Sequence, residues 1–191
     1  QDEQFWDESE GGWFSTTGAD PTVLVRMKDD YDGAEPTASS VSVMNLIALS
    51  HLVEDGAWTD RIERTFRLFG ARLEQIGRAV PMMAAALSTW HAGVEQVVIA
   101  GDVGGDALER AVLTRYHPFA IVLRVAAAAQ RALAPMLPWV AAMTPGDGQA
   151  AAYVCRQFAC RQPVTSPEAL EEELASGSRL PDSGTNAAPN L

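Results

Sequence analysis

The 191-residue sequence has few of the side chains on which most catalytic and metal sites depend. Its only cysteines and histidines are Cys155, Cys160, His51, His91 and His117. No histidine stands at zinc-ligand spacing from either cysteine, so we expect no metal site. The chain also lacks a Gly-x-Ser-x-Gly motif, and no histidine has an obvious nucleophile partner. A hydrolase triad within this chain is therefore disfavoured.

Long apolar runs and basic residues are scarce as well. No apolar run reaches the roughly 20 residues that a membrane-spanning helix needs. The net charge is −11, and residues 1–35 hold ten acidic residues against Arg26 and Lys28. A negative surface repels phosphate backbones and anionic lipids, so we expect no nucleic-acid partner and no membrane partner. We expect a soluble, cytoplasmic protein.

Hydrophobic residues make up 47% of the chain, which suits a globular core. Residues 5–14 hold two short aromatic segments around Gly11 and Gly12, and this pattern predicts a hairpin. A segment crowded with Asp, Gly and Pro follows from Gly18 to Pro36, where turns are expected. The polar content of this stretch indicates a loop that leads into the apolar sequence after it.

Residues 37–90 predict three successive helices with short connections. Thr37 and the serines after it offer caps for the first helix, Thr59 is the expected cap of the second, and Pro81 suits the start of the third. The first helix is apolar nearly all round, so it must be buried on several sides. We therefore expect missing neighbours to cover it.

The pattern changes at Gly93, where strands become the predicted elements. Residues 96–100 and 119–123 read as buried strands, and a helix from Asp106 to Tyr116 joins them, which predicts a βαβ unit with parallel pairing. Further predicted elements are a broken helix over 126–142, a strand over 152–155 and a short acidic helix over 167–175. The predicted domains are a helical region over 1–92, the α/β unit over 93–175 and a disordered tail over 176–191.

The most unusual segment, residues 25–40, gathers carboxylates, two cations and an aromatic ring directly before the apolar helix. Carbohydrate pockets use this set for acid–base steps, stacking and charge recognition. The candidate acid–base residues are Asp32 and Glu35, and the candidate substrate-binding residues are Arg26, Lys28, Tyr31 and Ser40. In the alternative interpretation, Asp32 and Gly33 form a turn, the serines cap the helix and the charges only solvate the loop.

Two other motifs carry less chemistry. Cys155 and Cys160 form a C-x4-C pair without the spacing of a thioredoxin motif, so we interpret them as a structural pair, reduced or oxidised, with a redox centre as the alternative. The segment from Gly101 to Asp106 follows a strand and opens a helix, but its glycine order is wrong for a dinucleotide loop. We expect no cofactor.

Several short motifs along the chain resemble those of one known family. They are Phe5-Trp6-Asp7 with Gly11-Gly12-Trp13-Phe14, Arg26-x-Lys28 with Tyr31-Asp32-Gly33-Ala34-x-Pro36 and Ser40-Val41, Val97-Val98-Ile99-x-Gly101, and Ala152-Tyr153-Val154-Cys155-x-x-Phe158-x-Cys160-x-x-Pro163-Val164-Thr165. Over roughly residues 5–175 the chain resembles the C-terminal half of the spermatogenesis-associated, thioredoxin-domain-containing protein family. Met27 replaces a usual proline, and Ser39 replaces a usual asparagine, so a ligand contact through that amide is not carried over.

The resemblance implies a chain several times longer, with an N-terminal thioredoxin-like domain and a barrel of paired helices similar to six-hairpin glycosidases and sugar epimerases. The expected fold is mainly α with a small α/β part, in which the terminal helices of an α/α toroid are followed by a βαβ-containing unit. The expected partners are the remainder of the full-length chain and a sugar ligand.

Three functions follow as hypotheses. The first is carbohydrate binding or processing in the full-length protein, where this chain alone would be inactive. The second is a scaffold or partner surface for a thiol-redox or chaperone-like role of the missing thioredoxin-like domain. The third is a structural end-cap that binds no ligand.

Overall fold

The chain forms two compact units in a computed structural model, which describes residues 1–144, 148–157 and 159–177. The units are Gln1–Ala92 and Gly93–Leu191. The described residues are about half helical and contain a four-stranded mixed sheet, which confirms the expectation of a mainly α fold with a small α/β part. No helix in these ranges combines the length and the apolar character that a membrane span requires. The toroid is not shown by these residues.

The first unit contains four α-helices. They are α1 (Asp2–Phe5), α2 (Ala38–Ser50), α3 (Gly56–Ile76) and α4 (Pro81–Ala92), with a 3-10 turn at Gly77–Ala79. The predicted cap of α2 is confirmed, because the Thr37 side chain accepts a hydrogen bond from the Ser40 N–H at 3.1 Å. The predicted cap of α3 is wrong, because Asp55 Oδ1 accepts the Ala57 N–H at 2.9 Å and the helix begins before Thr59.

The predicted hairpin at residues 5–14 is reduced to one antiparallel bridge between Trp6 and Trp13. Asp2 to Phe5 coil into a helical turn instead of extending as a strand. The two indole rings lie 4.7 Å apart at a tilted angle. Gly11 and Gly12, with φ of 85° and 77°, take the left-handed conformation that lets the chain reverse between these rings.

Helix α2 packs between α3 and α4 through one of its faces. Val43, Leu46 and Ile47 of this face are buried. Their buried neighbours are Ile62, Phe66 and Phe69 of α3 and Met83 and Ala86 of α4. Within the described residues, α3 and α4 cover this face of α2, and the expectation that missing neighbours cover its remaining sides stays a prediction. Asn45 and Leu49 lie on the opposite face and are exposed.

The second unit is built on a sheet with the strand order β2-β1-β3-β4. Its strands are β1 (Glu95–Ala100), β2 (Ala120–Val125), β3 (Ala151–Arg156) and β4 (Ala159–Cys160), and its helices are α5 (Gly105–Leu113), α6 (Ala127–Leu133), α7 (Pro138–Ala141) and α8 (Pro167–Gly177). Strands β1 and β2 are parallel and joined through α5, so the predicted βαβ unit is confirmed. Strand β3 pairs antiparallel with β1, and α5 and α8 supply Leu108 and Leu170 to the core.

Three predicted boundaries in this unit are wrong. Helix α5 begins after Gly104, whose φ of 83° turns the chain, so Asp106 is not its cap. The helix ends at Leu113, and Tyr116 beyond it is 89% exposed. Helix α8 continues to Gly177, two residues past the predicted helix end at Ala175. The rest of the predicted tail, 178–191, lies outside the described residues.

Candidate functional site

The candidate segment begins with Arg26, which fastens the loop to the N-terminal residues. Its Nε and Nη2 donate hydrogen bonds to the Thr16 carbonyl oxygen at 3.1 and 2.8 Å, and Nη2 also donates to the Gln4 carbonyl oxygen at 2.7 Å. The guanidinium carbon lies 4.0 Å from the centroid of the Phe14 ring, in cation–π distance. Arg26 therefore has partners inside the protein for its charge and for its donors.

The Lys28 ammonium has three hydrogen-bond acceptors within the first unit. Its Nζ donates to Asp7 Oδ2 at 2.8 Å, to the Gly11 carbonyl oxygen at 3.0 Å and to Glu10 Oε2 at 3.3 Å. The side chains of Lys28 and Asp7 are 12% and 10% exposed. The Lys28 ammonium, with a further hydrogen bond from Ser9, holds the pKa of Asp7 well below its ordinary value. This pair is a partly buried ion pair that closes the turn at residues 7–12.

The next two carboxylates tie the segment to its surroundings. Asp29 accepts a hydrogen bond from Ser15 Oγ at 2.5 Å. Asp30 forms an ion pair with Arg72 on α3. Both contacts are exposed, so each contributes little to stability. Together they fix where the middle of the loop lies on the first unit.

Asp32 is buried, and both of its carboxylate oxygens accept hydrogen bonds from the backbone. Oδ1 accepts the Thr37 N–H at 2.8 Å, and Oδ2 accepts the N–H groups of Met82 and Met83 at 2.8 and 3.4 Å. Met82 and Met83 are in the first turn of α4, where free N–H groups attract a carboxylate. The Asp32 N–H donates to the Ala79 carbonyl oxygen at 2.8 Å. In this structure, Asp32 joins the starts of α2 and α4.

Ser40 belongs to the cap of α2. It is fully buried, and its Oγ lies 2.8 Å from Thr37 Oγ1. The neighbouring Ser39 Oγ accepts the Trp13 N–H at 3.0 Å, a contact that joins α2 to the aromatic turn. For Asp32 and Ser40 the turn-and-cap interpretation describes the observed contacts.

Tyr31 and Glu35 differ from the other candidates because both are exposed, and the Tyr31 ring is 63% exposed. This ring lies against Gly33, where a Cβ atom would stand 3.0 Å from Tyr31 Cε1. The Glu35 carboxylate makes no hydrogen bond or ion pair with any residue that the structure describes. The six predicted residues thus divide into four that hold the loop and two that are open to a ligand.

A cavity of about 410 Å³ also lies in the first unit, and sequence reasoning missed it. Its lining residues are Gln1, Asp2, Trp13, Ser42, Asn45, Leu46, Ala48, Leu49 and Trp58. None of the predicted site residues belongs to this lining. The carboxylate of Asp2 is already engaged by Trp13 Nε1 at 3.0 Å and by Arg61 at 2.8 Å. The lining comes from four separate stretches of the chain, so no local motif signals it.

Cys155 and Cys160 are joined by a disulfide. They face each other in register across β3 and β4. Cys155 is buried, whereas Cys160 is exposed. The structure therefore favours the oxidised form among the two states that the sequence left open.

The Gly101–Asp106 loop encloses an arginine side chain. The Arg124 guanidinium donates to the Gly101 carbonyl oxygen and lies 3.3 Å from the Asp102 carbonyl oxygen. A side chain at Gly105 would collide with this guanidinium.

Within the described ranges, no three His, Cys, Asp or Glu side chains come together in a way that would hold a metal ion.

Comparison with known proteins reveals relatives that are much longer. Human spermatogenesis-associated protein 20 is 34% identical over 178 residues, which cover 91% of this chain and 23% of the human protein. The chain is similar to the C-terminal part of that protein. The rat protein of the same name is 33% identical over 178 residues, with the same coverage. An uncharacterized protein of Caenorhabditis elegans is 33% identical over 172 residues, which cover 90% of this chain and 23% of the relative.

The chain therefore spans less than a quarter of the length of these relatives. No family model matches it, and no solved structure does. The names of the relatives describe neither a sugar ligand nor a thiol reaction.

Proposed function

We propose that this chain is the C-terminal part of a longer protein and that its segment 24–37 forms one wall of a carbohydrate site in that protein. The observation that carries the proposal concerns Tyr31 and Glu35, which are both exposed. The Glu35 carboxylate has no partner among the described residues, whereas the other charged side chains of the loop are all bonded internally. The proposal also includes the reaction mechanism, the sugar ligand, and the thioredoxin-like and toroidal parts of the full-length protein.

The internal bonds of the loop make it suitable for recognition. A site that is already held in its binding geometry loses less conformational entropy when the ligand arrives. Arg26, Lys28 and Asp32 supply this support from three sides, because they bind the N-terminal residues, the turn at 7–12 and the start of α4. We assign these three residues to positioning.

The two open side chains would divide the work at the ligand. The Tyr31 ring offers a face for the apolar C–H surface of a sugar, and the absence of a side chain at Gly33 leaves room for this ring. The Glu35 carboxylate accepts sugar hydroxyls and is the candidate for proton transfer. Asp32 would have to release backbone N–H groups before it could transfer a proton, so the second carboxylate of an acid–base pair comes from the rest of the longer chain.

Apolar side chains next to the candidate residues support a missing opposite wall. Leu24, Val25 and Met27 are 95%, 74% and 65% exposed. A cluster of exposed apolar side chains marks a surface that another part of a protein covers. The open face of α2, with Leu49 41% exposed, has the same character. We infer that the remainder of the full-length chain, as paired helices of an α/α toroid, packs on these surfaces.

The proposal is tested in the full-length protein with a panel of neutral aldohexoses and their N-acetylated forms, by saturation-transfer NMR and by turnover assays. We expect Tyr31→Ala to abolish sugar binding and Glu35→Gln to abolish turnover while binding remains. Trp58→Ala, in the cavity, is the matched control and should leave binding unchanged. Unchanged binding in Tyr31→Ala, or loss only in Trp58→Ala, would overturn the assignment of the site.

A second candidate function is favoured by the observed disulfide. In this proposal the chain is a scaffold or partner surface for a thiol-redox or chaperone-like domain elsewhere in the longer protein, in the cytoplasm. The full-length protein with both Cys155 and Cys160 replaced by serine should then lose the interaction with its partner and keep its sugar binding. If the variant keeps the interaction with its partner and loses sugar binding, this candidate is contradicted.

A further inference from the structure

The disulfide between Cys155 and Cys160 has two unequal ends. Cys155 lies in β3, between β1 and β4, and is 1% exposed. Cys160 lies in β4, a two-residue strand at the edge of the sheet, and is exposed. Thiol–disulfide exchange begins when a thiolate reaches one sulfur of the bond, so access decides which sulfur is attacked. Because Cys155 is buried and Cys160 is an exposed residue, we expect attack at the Cys160 end.

Gln157, directly after β3, has a strained backbone conformation. Gln157 has a φ of 49°, the only non-glycine residue of the described chain in the left-handed region. A side chain with a Cβ atom is unfavourable in that region, so this conformation persists only while its surroundings enforce it. The Cys155–Cys160 disulfide closes a ring that contains Gln157, so it is one such constraint, and we expect Gln157 to relax when the disulfide is reduced.

Contacts on both sides of the turn limit how far that relaxation can spread. On one side, Arg156 forms an ion pair with Glu95 of β1, with an N···O distance of 3.0 Å. On the other side, the Arg161 N–H donates to the Val154 carbonyl oxygen at 3.0 Å, and Ala152 and Val164 exchange backbone hydrogen bonds at 2.8 and 3.0 Å. The strands beyond the turn therefore stay paired when the disulfide opens.

We propose that the Cys155–Cys160 pair is a thiol–disulfide exchange site whose reactant is a dithiol. A thiolate of the dithiol attacks Cys160 Sγ, forms a mixed disulfide and expels Cys155 as a thiolate, which takes up a proton. The second thiolate of the dithiol then attacks the first sulfur of the same dithiol, which is bonded to Cys160 in the mixed disulfide, and Cys160 is released as a thiolate that takes up a proton. The dithiol loses two electrons and two protons and becomes a disulfide, and the cysteine pair gains them.

This inference concerns the second unit and does not depend on a sugar site. We expect reduction to change the backbone near Gln157 and the exposed end of β4, and to leave the pairing of β1 with β2 and β3, whose order is β2-β1-β3. The site thus combines an accessible sulfur, a strained turn and a scaffold that survives the reaction.

The first experiment equilibrates the full-length protein in dithiothreitol buffers of increasing reducing power and then blocks thiols with an alkylating reagent. Tryptic cleavage after Arg156 separates the two cysteines, so mass spectrometry reads each one on its own peptide. We expect both thiols to appear together in one reversible two-electron transition while circular dichroism stays native. Reduction that occurs only in denaturant would overturn the proposal.

The second experiment tests the direction of attack with two single variants. Cys155→Ser leaves Cys160, and Cys160→Ser leaves Cys155, so the pair differs only in which thiol remains. We expect the remaining Cys160 to exchange with an aromatic disulfide reagent at least about tenfold faster than the remaining Cys155, since reactivity follows access. Equal rates, or a faster Cys155, contradict the mechanism, and native circular dichroism of both variants shows that they fold.

Discussion

The helical unit and the sheet unit are each stabilised by a different kind of internal contact. Among the buried polar side chains of the described residues, eight belong to the helical unit and one, Gln96, to the sheet unit. The helical unit depends on groups such as Asp32 and Lys28, each of which satisfies several partners at once. The core of the sheet unit consists of aliphatic side chains from β1, β3, α5 and α8.

This difference predicts different responses to substitution. A buried polar group that loses its partner retains its full desolvation cost, whereas an aliphatic core loses stability in proportion to the atoms removed. We therefore expect the aliphatic core of the sheet unit to tolerate a substitution that keeps side-chain volume. The buried polar positions of the helical unit should not tolerate such a substitution. Four of the five tryptophans lie in the helical unit, so indole fluorescence reports mainly on its unfolding.

The largest effect is expected at Asp32. Asp32→Ala leaves the N–H groups of Thr37 and Met82 without their acceptor and removes the carboxylate from the start of α4, so we expect a loss of about 4 kcal/mol in the free energy of unfolding. Asp32→Asn keeps one acceptor oxygen and should lose about half as much. Urea unfolding followed by fluorescence measures both. Glu35→Ala is the control on the same loop and should change stability by less than about 0.5 kcal/mol.

The same measurement decides between two interpretations of Asp32. If Asp32→Ala unfolds like the native protein and loses only turnover, the carboxylate is catalytic and its backbone contacts are incidental. A large loss of stability that Glu35→Ala does not share supports the positioning role.

The next effect is expected at Lys28. Lys28→Met leaves the Asp7 carboxylate without its cation in a site where it is 10% exposed, and we expect a loss of about 2 to 3 kcal/mol at neutral pH. The double variant with Asp7→Asn should recover part of this loss, because no unpaired charge then remains. Additive losses in the double variant would show that the two side chains act independently.

The pH dependence of this pair has a defined sign. Because the pKa of Asp7 is lowered in the folded protein, its contribution is complete above the ordinary value of 3.8 and is lost as the pH falls further. The difference in stability between the native protein and Lys28→Met should therefore shrink in acid. A difference that stays constant from neutral pH to below 3.8 would exclude the ion pair as its source.

Local patterns predicted those parts of the fold that depend on neighbours in sequence. The three main helices, the Thr37 cap and the parallel pairing of β1 with β2 all follow from periodicity and capping chemistry. Thr59 is the predicted cap of α3, but the Asp55 carboxylate, four residues earlier, caps the first turn instead. Helix boundaries depend on such competition between nearby caps.

The candidate site could be predicted only in part, because its decisive contacts join distant residues. Asp32 accepts a hydrogen bond from Met82, which lies fifty positions later in the chain. Lys28 donates a hydrogen bond to Asp7, which lies twenty-one positions earlier. Nothing in the spacing of the segment 25–40 distinguishes these bonded charges from Glu35, which is unpaired among the described residues. The sequence therefore indicated where polar groups gather but not which of them a ligand can reach.

The smallest effect is expected in the sheet unit, at Ile99 of β1. This side chain is fully buried against aliphatic neighbours, so Ile99→Val removes one methylene and should lower the free energy of unfolding by about 1 kcal/mol. Amide hydrogen exchange of β1 and β3 measures the loss in this unit without relying on tryptophan. A loss as large as that of Lys28→Met would mean that the sheet core tolerates substitution no better than the polar contacts do. The contrast between the two units would then come from their burial and not from the chemistry of their contacts.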